Sequence, residues 1–175
     1  MNAIRPWLYS EAAQRGLGIF IGKGSCDTCH SGPNFSNGEF RENGFPTLAA
    51  RGRADAGRIE GLKRVRESRF NLLGPYNDDP LRAAAEDARR TMQEQGDPGA
   101  FKVPTLRHLL LSAPYGHHGE IERLADVVRH YSERGSGILK PLKLTSAEQS
   151  DLVVFLESLS TFSNPWRPDD LGRCH

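Results

Sequence analysis

Long apolar segments are missing from this sequence of 175 residues. No run approaches the roughly 18 apolar residues that a membrane-spanning helix needs. Residues 1–10 also lack the charged start and the apolar stretch of a secretory signal peptide. We therefore expect a chain without a membrane span and without a targeting segment of its own.

An excess of charge of one sign is also missing. The chain has 23 lysines and arginines against 22 acidic residues, and the two kinds are interspersed along the sequence. Proteins that bind nucleic acids or membrane surfaces usually carry a basic cluster. We therefore expect no nucleic-acid partner.

Strand-like alternation of apolar and polar residues is absent over any useful length, and no internal repeat is present. Apolar periodicity and capping residues instead predict helices. The predicted helices run from Ser10 towards Cys26, over 81–95 after Asp79 and Pro80, over about 121–134, and over about 146–160 after the capping box of Thr145 and Glu148. Residues 31–58 are rich in Gly, Asn, Pro and Arg, which predicts an irregular segment. We expect one domain, 1–175, with an all-α fold, long irregular loops and a tail at 161–175.

Cysteine is scarce, yet two of the three cysteines form a specific pattern. Cys26 and Cys29 lie in a C-x-x-C-H motif that ends at His30, a spacing that lets two thiols add to the haem vinyl groups while the imidazole binds the iron. A redox dithiol is expected in a strand–helix context, and a zinc site requires a second matched ligand pair. Neither context is present. The sequence predicts one covalent haem c and leaves Cys174 and His175 without an assigned role.

The second ligand of the iron is harder to identify from the pattern. The candidates are Met92, Tyr131, His108, His117, His118, His130 and His175. Tyr131 falls on the apolar stripe of the helix predicted over 121–134, where an ordinary core tyrosine is also expected. Met92 falls in a polar helix, where an exposed methionine is expected. The pattern alone leaves Tyr131 and Met92 about even.

Several segments, taken in order, resemble one protein family. They are Phe101 to Arg107, Ala113 to Gly119, Leu124 to Tyr131 and Leu152 to Leu159, together with the loop pieces Cys26 to Pro33, Phe40 to Gly44 and Asp55 to Arg58. From about Ser10 to Leu159 the chain resembles the C-terminal haem domain of the bacterial di-haem cytochrome c peroxidases. Conventional members have Met where this sequence has Tyr131, whereas the MauG-like branch has Tyr. The resemblance therefore implies a cytochrome-c-like haem domain with Tyr131 as the distal ligand.

The resemblance also implies roles for residues outside the haem motif. Arg107 would pair with a haem propionate, and His117 would support the haem surroundings. The backbone carbonyls of Ser112 and Pro114 match two calcium ligands of the family. A carbonyl pair alone is a weak site for an ion that prefers six to eight oxygens. His118 departs from the family, which usually has Asp there.

A second departure is that the family carries two haem motifs and this chain has one. The resemblance implies an electron-transfer haem domain of a MauG-like peroxidase that takes part in hydrogen-peroxide-dependent oxidation. The peroxide-binding haem would lie on another domain or chain, and the partner would be a redox protein or a protein substrate. Haem attachment normally takes place outside the inner membrane, so we expect a periplasmic location and a leader absent from this sequence. The alternative is a mono-haem electron carrier without peroxidase activity.

Overall fold

A computed structural model describes residues 9–42, 44–45, 55–78, 85–93, 98–135 and 139–160. Its helices and strands, in chain order, are α1 (Glu11–Ile21), β1 (Phe40–Arg41), α2 (Arg58–Glu67), α3 (Ala85–Gln93), β2 (Phe101–Lys102), α4 (Leu124–Glu133) and α5 (Ser146–Ser158). Within these ranges, no helix is both long and apolar enough to cross a membrane.

The first and last helices form the centre of the fold. Helix α1 begins as predicted after Ser10, whose hydroxyl accepts a hydrogen bond from the Ala13 N–H at 3.1 Å. It packs closely along α5 because Gly16 has no side chain. A Cβ atom at Gly16 would lie 2.7 Å from the Phe155 Cβ and closer still to the Asp151 carbonyl oxygen. The glycine is therefore required by this helix crossing.

Helix α5 begins at the predicted capping box. The Thr145 hydroxyl accepts a hydrogen bond from the Glu148 N–H at 3.2 Å, and the Glu148 carboxylate accepts one from the Thr145 N–H at 2.7 Å. These bonds satisfy two backbone donors that a helix start leaves open. Behind the cap lies the main apolar cluster, which consists of Phe20, Leu109, Leu124, Val128, Leu144, Leu152, Phe155, Leu156 and Leu159. This cluster joins α1, α4 and α5 into one core.

The remaining elements correct the predicted fold in two places. The helix-rich architecture is confirmed, but β1 and β2 also form an antiparallel pair, with Phe40 opposite Lys102. Strands of two residues are too short to produce an alternating pattern, so the all-α prediction did not include them. Helix α2 was not predicted either, and its sequence is strongly charged, with Leu62 as its buried residue.

Part of the polar helix predicted after Asp79 lies among the described residues. Helix α3 covers Ala85–Gln93 of the predicted 81–95 range, while Asp79, Pro80 and residues 94–97 lie outside the described residues. The predicted irregular segment 31–58 is confirmed where it is described, apart from β1 and Arg58, which begins α2. The tail 161–175, with Cys174 and His175, also lies outside the described residues.

Candidate haem-binding site

The C-x-x-C-H motif follows α1 and forms a tight turn. Residues Cys26–Thr28 make one turn of 3₁₀-helix, and the His30 N–H donates to the Cys26 carbonyl at 2.9 Å. Both thiols are free and half-buried. Gly24 lets the chain turn closely here, because a Cβ atom would lie 2.8 Å from the Ile19 carbonyl oxygen and 3.1 Å from the Cys26 sulfur. The turn thus gathers two thiols and an imidazole within five residues.

His30 is oriented by its own loop. Its Nδ1 lies 3.0 Å from the Phe35 carbonyl oxygen, which can only accept, so Nδ1 carries the proton. The other ring nitrogen, Nε2, is then left with a lone pair for a metal. Burial lowers the pKa of His30, which favours the neutral imidazole that binds iron. In metal-bound histidines, the ring nitrogen that does not bind the metal typically donates a hydrogen bond that fixes the tautomer.

Tyr131 lies near the same thiols but comes from a distant part of the chain. Helix α4 places it against the edge of the Phe45 ring, with 5.5 Å between ring centroids. Burial, and to a lesser degree the charges of Cys26 and Cys29, raise the pKa of Tyr131 to about 12. The Tyr131 side chain is half-buried.

These residues fit a covalently bound haem. Two adjacent free thiols, a neutral imidazole with its tautomer fixed, and a half-buried phenol in the same region are the groups that such a cofactor needs. The predicted set Cys26, Cys29, His30 and Tyr131 is therefore brought into one region of the fold.

The other predicted site residues occupy different places. Arg107 is exposed and donates from Nε and Nη2 to the Pro33 carbonyl at 2.9 and 2.7 Å, so it braces the loop after the haem motif. Ser112 and Pro114 flank Ala113 in an exposed segment, and neither carbonyl oxygen accepts a hydrogen bond from any described residue. Met92 lies in α3, but its side chain is outside the description. The roles of these residues stay predictions.

His117 lies in a group that sequence reasoning did not anticipate. Its ring packs at a tilt of 31° against Phe101, with 3.6 Å between centroids, and both His117 and His118 point Nε2 at the Asp55 carboxylate. The His-His pair was the available signal, whereas Asp55 lies 62 positions earlier, in a loop piece to which the sequence analysis gave no metal-binding role. Phe35 was also missed, because it acts through a backbone carbonyl that any residue could supply.

Comparisons with known proteins agree with the motifs. Cytochrome-c peroxidase IdrP1 of Pseudomonas sp. (strain SCT) is 34% identical over 166 residues, which cover 90% of this chain and 42% of that protein. The methylamine utilization protein MauG of Methylophilus methylotrophus is 28% identical over 158 residues, which cover 86% of this chain and 37% of MauG. No protein-family model matches the chain.

The chain is therefore a relative of the bacterial cytochrome c peroxidases. MauG is among its relatives as well, so the predicted resemblance to this family and its MauG-like members is confirmed. The chain spans less than half the length of these relatives. A solved MauG-like protein associated with microbial copper homeostasis shares the fold, with a TM-score of 0.52 and 24% identity over 90% of this chain and 48% of that structure.

Proposed function

We propose that the chain is a single c-type haem domain, with haem c attached through Cys26 and Cys29 and its iron bound by His30 and Tyr131. The observation that carries this proposal is the turn from Cys26 to His30, where two free thiols lie beside an imidazole whose Nδ1 is held by the Phe35 carbonyl. When bound, haem would supply a one-electron redox centre whose potential depends on the axial ligands.

The chain's own residues favour the oxidised state of that centre. Tyr131 must release its proton to bind as a phenolate, and burial opposes this by raising the pKa of Tyr131 to about 12. A nearby positive charge offsets the cost, and ferric iron supplies more of it than ferrous iron. His30 remains a neutral donor because the Phe35 carbonyl holds its Nδ1 proton. Together the two ligands suit the storage of oxidising equivalents.

The wider role that we propose is that of the electron-transfer half of a MauG-like di-haem peroxidase. A haem bound on both sides by His30 and Tyr131 offers no open position for peroxide. Peroxide would act at a second haem domain or chain, and this domain would relay the oxidising equivalents to a redox partner or protein substrate in the periplasm. The similarity to cytochrome c peroxidases and MauG supports this role.

One observation favours a second candidate, a mono-haem electron carrier. The chain holds a single C-x-x-C-H motif, whereas the proposed role needs two haems. A carrier would exchange electrons with a partner but would not support peroxide turnover.

Two measurements on the haem-loaded chain test these alternatives. We expect a reduction potential well below that of a His/Met cytochrome, because a phenolate stabilises ferric iron. We expect little peroxide consumption by the chain alone and clear turnover after mixing with a haem domain that has an open coordination position. A potential in the His/Met range, together with no turnover in the mixture, would favour the carrier.

A further inference from the structure

Three metal-binding side chains meet on the surface outside the haem-binding region. The ligand atoms of Asp55, His117 and His118 all lie within 4.8 Å of one another. We propose that they bind a divalent transition metal ion with zinc-like preferences. Two imidazoles and one carboxylate form the ligand set that such ions take in open, three-residue sites.

The distances fit metal ligands better than they fit simple ion pairs. The Nε2 atoms of His117 and His118 lie 3.3 and 3.4 Å from the same Asp55 oxygen, Oδ2. Charge-assisted hydrogen bonds are shorter, at about 2.7–2.9 Å. In a tetrahedral site with metal–ligand bonds of about 2.0–2.1 Å, neighbouring ligand atoms are about 3.4 Å apart. The two separations from Asp55 Oδ2 match that value, and the three ligand atoms all lie within 4.8 Å of one another.

Each ligand is held in place by a separate contact. The second Asp55 oxygen, Oδ1, accepts the Gly57 N–H at 2.7 Å, which leaves Oδ2 to face the histidines. The His117 ring lies on Phe101 of β2. The His118 backbone N–H donates to the Glu120 carboxylate at 3.0 Å, which also places negative charge near the cluster. Supporting contacts of this kind orient metal ligands.

The backbone explains why residues so far apart in sequence meet. Gly57 pairs with Ala100, just before Phe101, through the Arg58 N–H, which donates to the Ala100 carbonyl at 2.9 Å. This approach requires glycine, because Gly57 has a φ of +61° and its Cβ would strike Ala100. The histidine loop is closed by paired hydrogen bonds between Tyr115 and Ile121 at 2.6 and 3.0 Å. The ion would join these two segments.

The fourth coordination position would face solvent. The side chains of His117 and His118 are 40% and 31% exposed, and that of Asp55 is 27% exposed. A water molecule, or a ligand from another protein, could complete a tetrahedral site. The inference is independent of the proposed haem, because none of the three residues belongs to the C-x-x-C-H motif.

Zinc binding to the haem-loaded chain tests the proposal. The parent carries Cys174→Ser and His175→Gln, since the terminal Cys-His pair could bind zinc by itself. After bound metal is removed with a chelator, zinc is added and the excess is dialysed away at pH 7.5, we expect one zinc ion per chain by elemental analysis. Calorimetric titration should show affinity at least about ten-fold weaker in Asp55→Asn and in His118→Gln. The haem absorption spectrum reports whether each variant is folded.

His108→Gln is the matched control, because His108 is exposed and lies outside the cluster. We expect its zinc affinity to equal that of the parent. The proposal is overturned if the parent binds no zinc. It is also overturned if Asp55→Asn and His118→Gln bind as tightly as the parent, or if His108→Gln loses binding to the same extent.

Discussion

The two sides of the proposed haem site are built in different ways. On the His30 side, hydrogen bonds join residues close in sequence: His30 to Cys26, His30 to Phe35, and Asn37 to Cys29. On the Tyr131 side, α4 is held by contacts across the fold, where Val128 packs in the cluster that contains Leu152 of α5. The first side is therefore encoded by a short contiguous motif, whereas the second depends on the assembled core.

The largest effect is expected from removing the covalent attachment. Cys26→Ala/Cys29→Ala has no thiol in the motif, so acidified organic solvent should extract all of its haem, while the parent should keep its haem on the polypeptide. Cys174→Ser is the matched control and should retain covalent haem. Mass spectrometry of the protein checks both. Covalent haem in the double variant would show that the motif is not the attachment site.

Substitution of His30 should change the ligands of the haem iron without releasing the haem. In His30→Gly both thioether bonds can still form, but the strong-field nitrogen ligand is gone. We expect a different visible spectrum and a lower melting temperature, because ligand binding is coupled to folding. His118→Gln is the control and should leave the spectrum as it was. An unchanged spectrum in His30→Gly would mean that another residue binds the iron.

The contrast between the two sides also explains what the sequence could reveal. Cys26, Cys29 and His30 could be predicted as haem-binding residues from the sequence, since the spacing of the motif itself indicates the chemistry. The starts of α1 and α5 were predicted from Ser10 and Thr145, which act locally. For the second ligand the pattern left Tyr131 and Met92 about even, because an apolar stripe shows that a residue is buried but not what lies opposite.

Features that rest on contacts between distant segments were missed. Helix α2 has one buried residue, Leu62, so it shows no apolar stripe. The β1–β2 pair is too short for alternation. Asp55 reaches His117 and His118 through backbone pairing at Gly57, a contact that no local pattern reports. In each case the information lies in the tertiary arrangement and not in neighbouring residues.

A smaller effect is expected at the helix crossing that joins the two sides. Gly16→Ala places a methyl group against Phe155 and the Asp151 carbonyl, so we expect a loss of about 1–3 kcal/mol in the free energy of unfolding. In Gly18→Ala, two positions further along α1, the added methyl group meets nothing within 4 Å. It should raise the free energy of unfolding by about 0.5–1 kcal/mol, because alanine favours the helix. Chemical denaturation measures both variants, and equal losses would contradict the close crossing.

The smallest change is expected from Tyr131→Phe, which removes one oxygen and keeps the ring. The edge-to-face contact with Phe45 should persist, so we expect the fold and the covalent haem to remain. The iron would lose its sixth ligand and become five-coordinate or water-bound. Cyanide should then bind the ferric protein much faster than it binds the parent, which stopped-flow absorption measures.

Met92→Leu decides whether this effect is specific. If Tyr131 is the distal ligand, Met92→Leu should leave the absorption spectrum and the cyanide rate unchanged. The parent should also lack the weak near-infrared band that methionine sulfur gives on ferric iron. Detection of that band in the parent and its loss in Met92→Leu would make Met92 the ligand. The second ligand of the iron would then come from α3 and not from α4. The evidence would then favour an electron carrier over a MauG-like role.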